Sequence, residues 1–195
     1  MYYIVMEPKA ILNEQTDEEI VIEIKNGDKE KFGILINRYI DKLKRYATKF
    51  MQDRVDIDDL VQDVFIKSYQ NIQSFDESRK FSPWIYRIAH NEFVNQIRKK
   101  LTQKILPIDF DTFFPHPEAL EKADTDTEAF FTEKILEEYL NKLDPKYREV
   151  LVLYFYEEMD YKQIGEVLAI PVSTVGVRII RAKEKLKLLI KDKSL

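Results

Sequence analysis

Phe32, Leu35, Ile36, Tyr39, Leu43, Tyr46, Ala47 and Phe50 recur at steps of three and four. That spacing lays them along one side of a long helix and leaves the other side polar. An apolar stripe of this length has to be buried against other elements, so the chain is committed to packing helix on helix. The remaining sequence agrees with this. Long periodic stretches rich in Lys, Glu, Ile and Leu, with only four glycines and seven prolines in 195 residues, favour an all-α protein over a sheet protein. Apolar residues make up 45% of the chain, enough to build cores for one ordinary domain or two small ones.

Several function classes are excluded early. No run of about twenty apolar residues occurs, and "MYYIVMEPKA" lacks the basic start and the full apolar stretch of a signal peptide, so a cytoplasmic location is expected. The absence of cysteine removes disulfides, thiol catalysis and Cys-type zinc sites together. With His90 and His116 the only histidines, neither a metal site nor any other cofactor is expected. The net charge of −4 argues against a general nucleic-acid binder, yet the charges are segregated. Between Ile105 and Leu140 carboxylates such as Asp109, Asp111, Glu118 and Glu121 far outnumber Lys122 and Lys134. Beyond Pro171 the balance reverses, with Arg178, Arg181, Lys183, Lys185, Lys187, Lys191 and Lys193 against Glu184 and Asp192.

Local signals divide the chain. Thr16 followed by Asp17, Glu18 and Glu19 is an N-cap with acids in the first turn, and "NGD" at 26–28 ends that helix. Asp56 is expected to cap a third helix with Asp59 at the capping-box position, and Ser82-Pro83 to start a fourth that runs to about Lys100. Between Thr102 and Thr127 the periodicity fades into prolines, acids and scattered aromatics, the composition of a linker. The expected organisation is a short extension over 1–16, a helical domain over 17–101, an acidic flexible linker over 102–128, and a second helical domain over 129–195.

Three surfaces stand out. In "DDLVQDVFIKSY", residues 58–69, Ile57, Val61, Val64, Phe65 and Ser68 cluster on one side of a helix. Asp59, Gln62, Asp63 and Ile66 cluster on the other, a polar rim around an apolar anchor that suits a protein partner. A solvated face with one stray Ile fits the same spacing. In "PWIYRIAHNEFVNQIRKK", Ile85, Ile88, Ala89, Phe93 and Ile97 form the inward side. Arg87, Asn91, Asn95 and Arg98 line an outward stripe that ends in Lys99 and Lys100, with Val94 intruding. Arg and Lys neutralise phosphates and Asn reads base edges, while Phe75, Phe81, Trp84 and Tyr86 are aromatics on which unpaired bases stack or around which a core packs.

The third surface is "DYKQIGEVLAIPVSTVGVRIIRAKEKL". It reads as a short helix capped by Asp160 with Gln163 in the capping box, a tight turn through Ala169, Ile170 and Pro171, and a second helix from about Ser173. Val175, Ile179, Ala182, Leu186 and Ile190 are expected to face inward, leaving Thr174, Val177, Arg178, Arg181 and Lys185 outward. That order suits a helix-turn-helix, whose second helix presents its first residues to the major groove while nearby cations hold phosphates. A plain helical hairpin with a basic solvated face is the alternative.

Taken together, "DDLVQDVFIKSY", "FSPWIYRIAHN", "IRKK" and "LDPKYREVLVLYFYEEMDYKQIGEVLAIPVSTVGVRIIRAKEKL" resemble the two regions of bacterial RNA polymerase sigma factors of the extracytoplasmic-function (ECF) group, over nearly the whole chain beyond Asp17. The resemblance implies a non-enzymatic promoter-specificity subunit with core RNA polymerase, promoter DNA and an anti-sigma factor as partners. It implies core-polymerase contacts at Asp59, Leu60, Gln62, Asp63 and Ile66. It implies minus-ten DNA contacts at Phe75, Arg79, Trp84, Arg87, Asn91, Asn95, Arg98 and Lys99. For the minus-thirty-five element it implies Pro171, Ser173, Thr174, Gly176, Val177, Arg178, Ile180, Arg181 and Lys185. By the same analogy the acidic linker threads through polymerase channels otherwise used by nucleic acid.

The chain departs from the family at Gly176 and Val177, where polar side chains are usual, and at Gly165, where Ala is usual and Gly is expected to cost the helix about 1 kcal/mol. The competing expectation is a helix-turn-helix regulator that binds a palindromic duplex as a dimer without polymerase. A helical adaptor that does not bind DNA is disfavoured by the basic second helix and the Arg/Asn stripe.

Overall fold

The computed structural model describes residues 15–49, 51, 54–103 and 139–191. The expected linker lies outside the described residues apart from positions 102 and 103, as does the start of the second domain as far as 138. Among the described residues there are seven α-helices and no strand: α1 (Asp17–Lys25), α2 (Phe32–Thr48), α3 (Arg54–Asn71), α4 (Phe81–Gln103), α5 (Pro145–Phe155), α6 (Tyr161–Leu168) and α7 (Val172–Lys191). Short 3-10 turns at Lys29–Lys31 and Ile72–Ser74 lead into α2 and out of α3. No single helix among the described residues is long and apolar enough to cross a membrane.

The helix starts follow their local chemistry, with two corrections. Thr16 Oγ1 accepts from the Glu19 amide at 3.2 Å while the Glu19 carboxylate accepts from the Thr16 amide at 2.8 Å, so the expected N-cap of α1 is a full capping box. Asp56 does not cap α3, because the helix already begins at Arg54 and leaves Asp56 inside its first turn, where a carboxylate still offsets the dipole. Helix α4 begins at Phe81, one residue ahead of Ser82-Pro83. The Phe81 amide donates to the Glu18 carboxylate at 2.9 Å, so α1 supplies the acceptor that the first turn of α4 lacks.

In the first domain Ile20, Leu35, Leu43, Tyr46, Val64, Ile85 and Phe93 are buried between α1, α2, α3 and α4. Each fully buried aliphatic side chain there contributes about 2 kcal/mol. In the second, Leu140, Leu151, Ile164, Val175, Ile179 and Leu186 hold α5, α6 and α7 together. Arg148 ties this domain to its own entry. Its guanidinium donates to the carbonyls of Leu140, Asn141 and Leu143, each at 2.9 Å, and also reaches the Lys49 carbonyl in the first domain.

Helices α6 and α7 form the expected corner, turning by 103° across Ala169, Ile170 and Pro171. Asp160 accepts from the Gln163 amide and Gln163 from the Asp160 amide, both at 2.8 Å. Ala169 takes the left-handed conformation at φ 53°, the usual stop for a helix, although a Cβ is unfavourable there. The two domains are in contact. Helix α4 packs along α6, and Arg45 pairs with Glu157 at 3.5 Å and Arg79 with Glu166 at 4.0 Å across the boundary.

Candidate nucleic-acid interface and docking face

The outer side of α3 carries Asp59, Gln62 and Asp63, all exposed, and Ile66, 45% exposed. Leu60 departs from this set: it is 6% exposed and belongs to the core, because it projects from the inward side of the helix with Val61 and Val64. Beside Ile66 runs a groove of about 660 Å³ between α2 and α3, walled by Phe32, Ile36, Ile40, Phe65 and Tyr69. Sequence reasoning placed Ile36 on the buried face and passed over Ile40. The missed signal is a second, narrower apolar stripe, Ile36 and Ile40 on α2 facing Ile66 and Tyr69 on α3, which only becomes a groove once the two helices lie side by side.

On α4 the side chains of Arg87, Asn91, Asn95, Arg98 and Lys99 are all exposed. Three of the four aromatics expected near them, Phe75, Phe81 and Tyr86, are buried. Phe75 is 3% exposed and sits in a cluster with Phe81 (ring centroids 5.8 Å) and Trp84 (5.4 Å), so it is a packing residue rather than an open stacking platform. Tyr86 is fully buried. Trp84 remains half-buried, with one part on the cluster and one part accessible. Arg79 is exposed on the loop that leads into α4, 3.5 Å from Asp76.

Along α7, Pro171, Ser173 and Lys185 are exposed, and Gly176, Val177, Ile180 and Arg181 are half-buried. Thr174 and Arg178 correct the expected outward stripe, at 6% and 7% exposed. Thr174 lies in the first turn of α7, where the sharp corner brings that helix against α6. Arg178 is buried near Glu149 and Tyr147 of α5; burial pulls its guanidinium pKa down, against the opposing pull of those two groups. Gly176 is also occupied territory. A Cβ there would stand 3.6 Å from the ring of Tyr161, which packs over the helix start from α6. Tyr161 was not anticipated, since the pairing spans the turn and leaves no mark in local spacing.

The arrangement thus offers a polar and apolar docking face on α3, a basic and amide stripe on α4, and a basic helix-turn-helix on α6 and α7. A sigma-70 region 2 family model matches residues 35–102, and a sigma-70, region 4 model matches residues 133–186. The chain is 34% identical over 184 residues to an ECF RNA polymerase sigma factor, SigW of Bacillus subtilis, spanning 87% of this chain and 94% of SigW. It is 31% identical to the ECF RNA polymerase sigma-E factor of Haemophilus influenzae, spanning 88% and 94% of the two. Among solved structures, CnrH in complex with the cytosolic domain of CnrY aligns with a TM-score of 0.64 at 27% identity, over 91% of this chain and 99% of CnrH.

Proposed function

Because the chain belongs to the ECF group of RNA polymerase sigma factors, we propose that its three surfaces divide the work of promoter recognition. The chain is a sigma factor that directs transcription initiation, with core RNA polymerase, promoter DNA and an anti-sigma factor as its partners. It has no chemistry of its own, and RNA synthesis belongs to the polymerase. Asp59, Gln62, Asp63 and Ile66 on α3 form the attachment to core polymerase. The stripe of Arg87, Asn91, Asn95, Arg98 and Lys99 on α4, with Arg79 and the accessible part of Trp84, holds the opened minus-ten strand. Ser173, Gly176, Val177, Arg181 and Lys185 on α7, joined by Arg178 when it is uncovered, meet the minus-thirty-five duplex. Region 2 is placed at 17–101, the acidic linker at 102–128 and region 4 at 129–195.

The observation that carries this reading is the presence of both family regions in one chain, in order, with an exposed Arg/Asn stripe on the first and a helix-turn-helix on the second. On the minus-ten side, drawing bases out of the stack costs a few kcal/mol, which stacking surfaces and phosphate contacts have to offset. Reconstitution with cognate core enzyme tests it: initiation should start at defined promoters, and a dimer that binds a palindrome without polymerase would point instead to an ordinary regulator. Asp63→Arg and Ile66→Glu should each weaken core binding by about tenfold or more in a pull-down while the helical signal stays unchanged. Full retention of core binding by both variants would remove α3 as the docking face.

A further inference from the structure

Helix α1 lies ahead of the stretch matched by the region 2 model, residues 35–102, and none of the three surfaces draws on it. Two of its side chains nevertheless reach the loop that leads into α4. Residues 76–80 of that loop are all exposed, between Phe75 at 3% and Phe81 at 0% exposed. At the first end, Lys25 Nζ donates to the Phe75 carbonyl at 3.1 Å and pairs with Glu77 at 2.5 Å, while Gln73 Nε2 donates to the Lys25 carbonyl at 3.4 Å. At the far end, Glu18 accepts from the Phe81 amide at 2.9 Å and pairs with Lys80 at 3.5 Å. Seven positions separate Glu18 from Lys25, so the two side chains leave the same side of α1 about 10 Å apart and grip one end each.

The support itself is firm. Ile20, Val21 and Ile24 bury the other side of α1, and Asp17 accepts from Arg38 and from the Tyr39 hydroxyl on α2, both at 2.5 Å. The loop also closes on itself. Asp76 Oδ1 accepts from the Ser78 amide at 3.0 Å and from its hydroxyl at 2.7 Å, and the Arg79 amide donates to the Asp76 carbonyl at 3.0 Å. An exposed polar loop ordinarily varies its course, whereas this one has both ends and its middle tied.

Resting on the reading of this loop and α4 as the minus-ten surface, we propose that Lys25 and Glu18 are positioning residues, which fix the course of residues 76–80 before a strand arrives. Extruding a base from the stack is already costly, and a loop that had to be ordered at the same moment would subtract further from binding. A loop held in shape by α1 presents Arg79 beside the accessible part of Trp84 without that loss. Sequence selectivity depends on this shape. Simple hold on the phosphates does not, because Arg87, Arg98 and Lys99 stand on α4 itself. Ion pairs as open as Lys25 with Glu77 and Glu18 with Lys80 add little to overall stability, so loop shape and folding separate under mutation.

Lys25→Met keeps the stem and removes the charge, and Glu18→Ala removes the acceptor for the Phe81 amide. In the full-length chain each should speed hydrogen exchange at the Ser78 and Arg79 amides about tenfold while the helix amides of α2, α3 and α4 keep their rates. The parent, loaded on core polymerase, then selects from a pool of DNA single strands randomised over about ten positions. Affinity for the selected strand should fall about tenfold in both variants, with affinity for a mixed-sequence strand of equal length unchanged. Core binding in a pull-down should also stay unchanged, since α1 carries none of the α3 docking residues. Lys25→Arg and Glu18→Gln, which keep a donor and an acceptor in place, should restore selectivity and slow exchange together.

Loop amides that exchange at the parent's rate in both Lys25→Met and Glu18→Ala overturn the hold of α1 on the loop. A loosened loop with selectivity intact, or an equal loss for selected and mixed strands, overturns the positioning role. A parent that selects no sequence from the pool removes the minus-ten reading itself, and with it the part given to Lys25 and Glu18.

Discussion

At Gly165 a side chain has nowhere to go. A Cβ there would stand 2.9 Å from the carbonyl oxygen of Ile170, the first residue of the turn beyond α6 to be pulled back over the helix, and the Ile170 amide bonds to Gly165 O at 3.1 Å. The Gly165→Ala exchange would gain about 1 kcal/mol of helix propensity. The clash would force the turn outward at about 1–3 kcal/mol. The collision wins because the opposing atom is backbone, and Gly165→Ala should destabilise the chain by about 1 kcal/mol in urea unfolding; a stabilised variant would show that the turn yields freely. Seen in sequence, this glycine is only a weak point in a helix, since its reason lies five residues on and across a corner. Arg178 was illegible for a stronger version of the same cause: its spacing says outward, but it is buried near Glu149 and Tyr147 of α5, which no local period encodes. Phe75 and Leu60 were misplaced likewise, one by a cluster that gathers aromatics from several elements, the other by projecting into the core with Val61 and Val64.

Helices were far more readable than the sites on them, because their starts and stops are written within four residues. Thr16 with Glu19 and Asp160 with Gln163 needed nothing beyond themselves to form capping boxes. The exception is instructive: α4 starts on an acceptor lent by Glu18 of α1, a cap that becomes visible only after the two helices meet. For α6, eight residues long, the cap matters more than for a longer helix because few internal bonds share the load. Asp160→Ala should therefore lower stability by about 1 kcal/mol, read as a drop in thermal midpoint, with Asp160→Asn recovering most of it. An unchanged midpoint would mean that tertiary packing alone holds α6 in place. The exposed side of α3 was legible from period alone, whereas the groove next to it required a second helix.

Over the whole molecule, the domain contact decides how the chain behaves before it meets anything. The bond from Arg148 to the Lys49 carbonyl, the Arg45 pair with Glu157 and the carboxylate shared by Tyr46 and His90 all cross the same boundary. Two domains joined this way should unfold in a single calorimetric transition. Glu149→Ala, which leaves His90 and Tyr46 without their acceptor, should split it into two; a parent that already melts in two steps would place the domains apart in solution. That the sequence pointed to helical packing but not to this contact follows from physics, since a charge such as Glu149 reads as solvated until a partner arrives. The covered guanidinium of Arg178 has one more effect. Genomes hold about a million to a billion stretches of wrong sequence for every right one. On the proposed reading of α7, a free copy with that guanidinium covered spends less of its time on them.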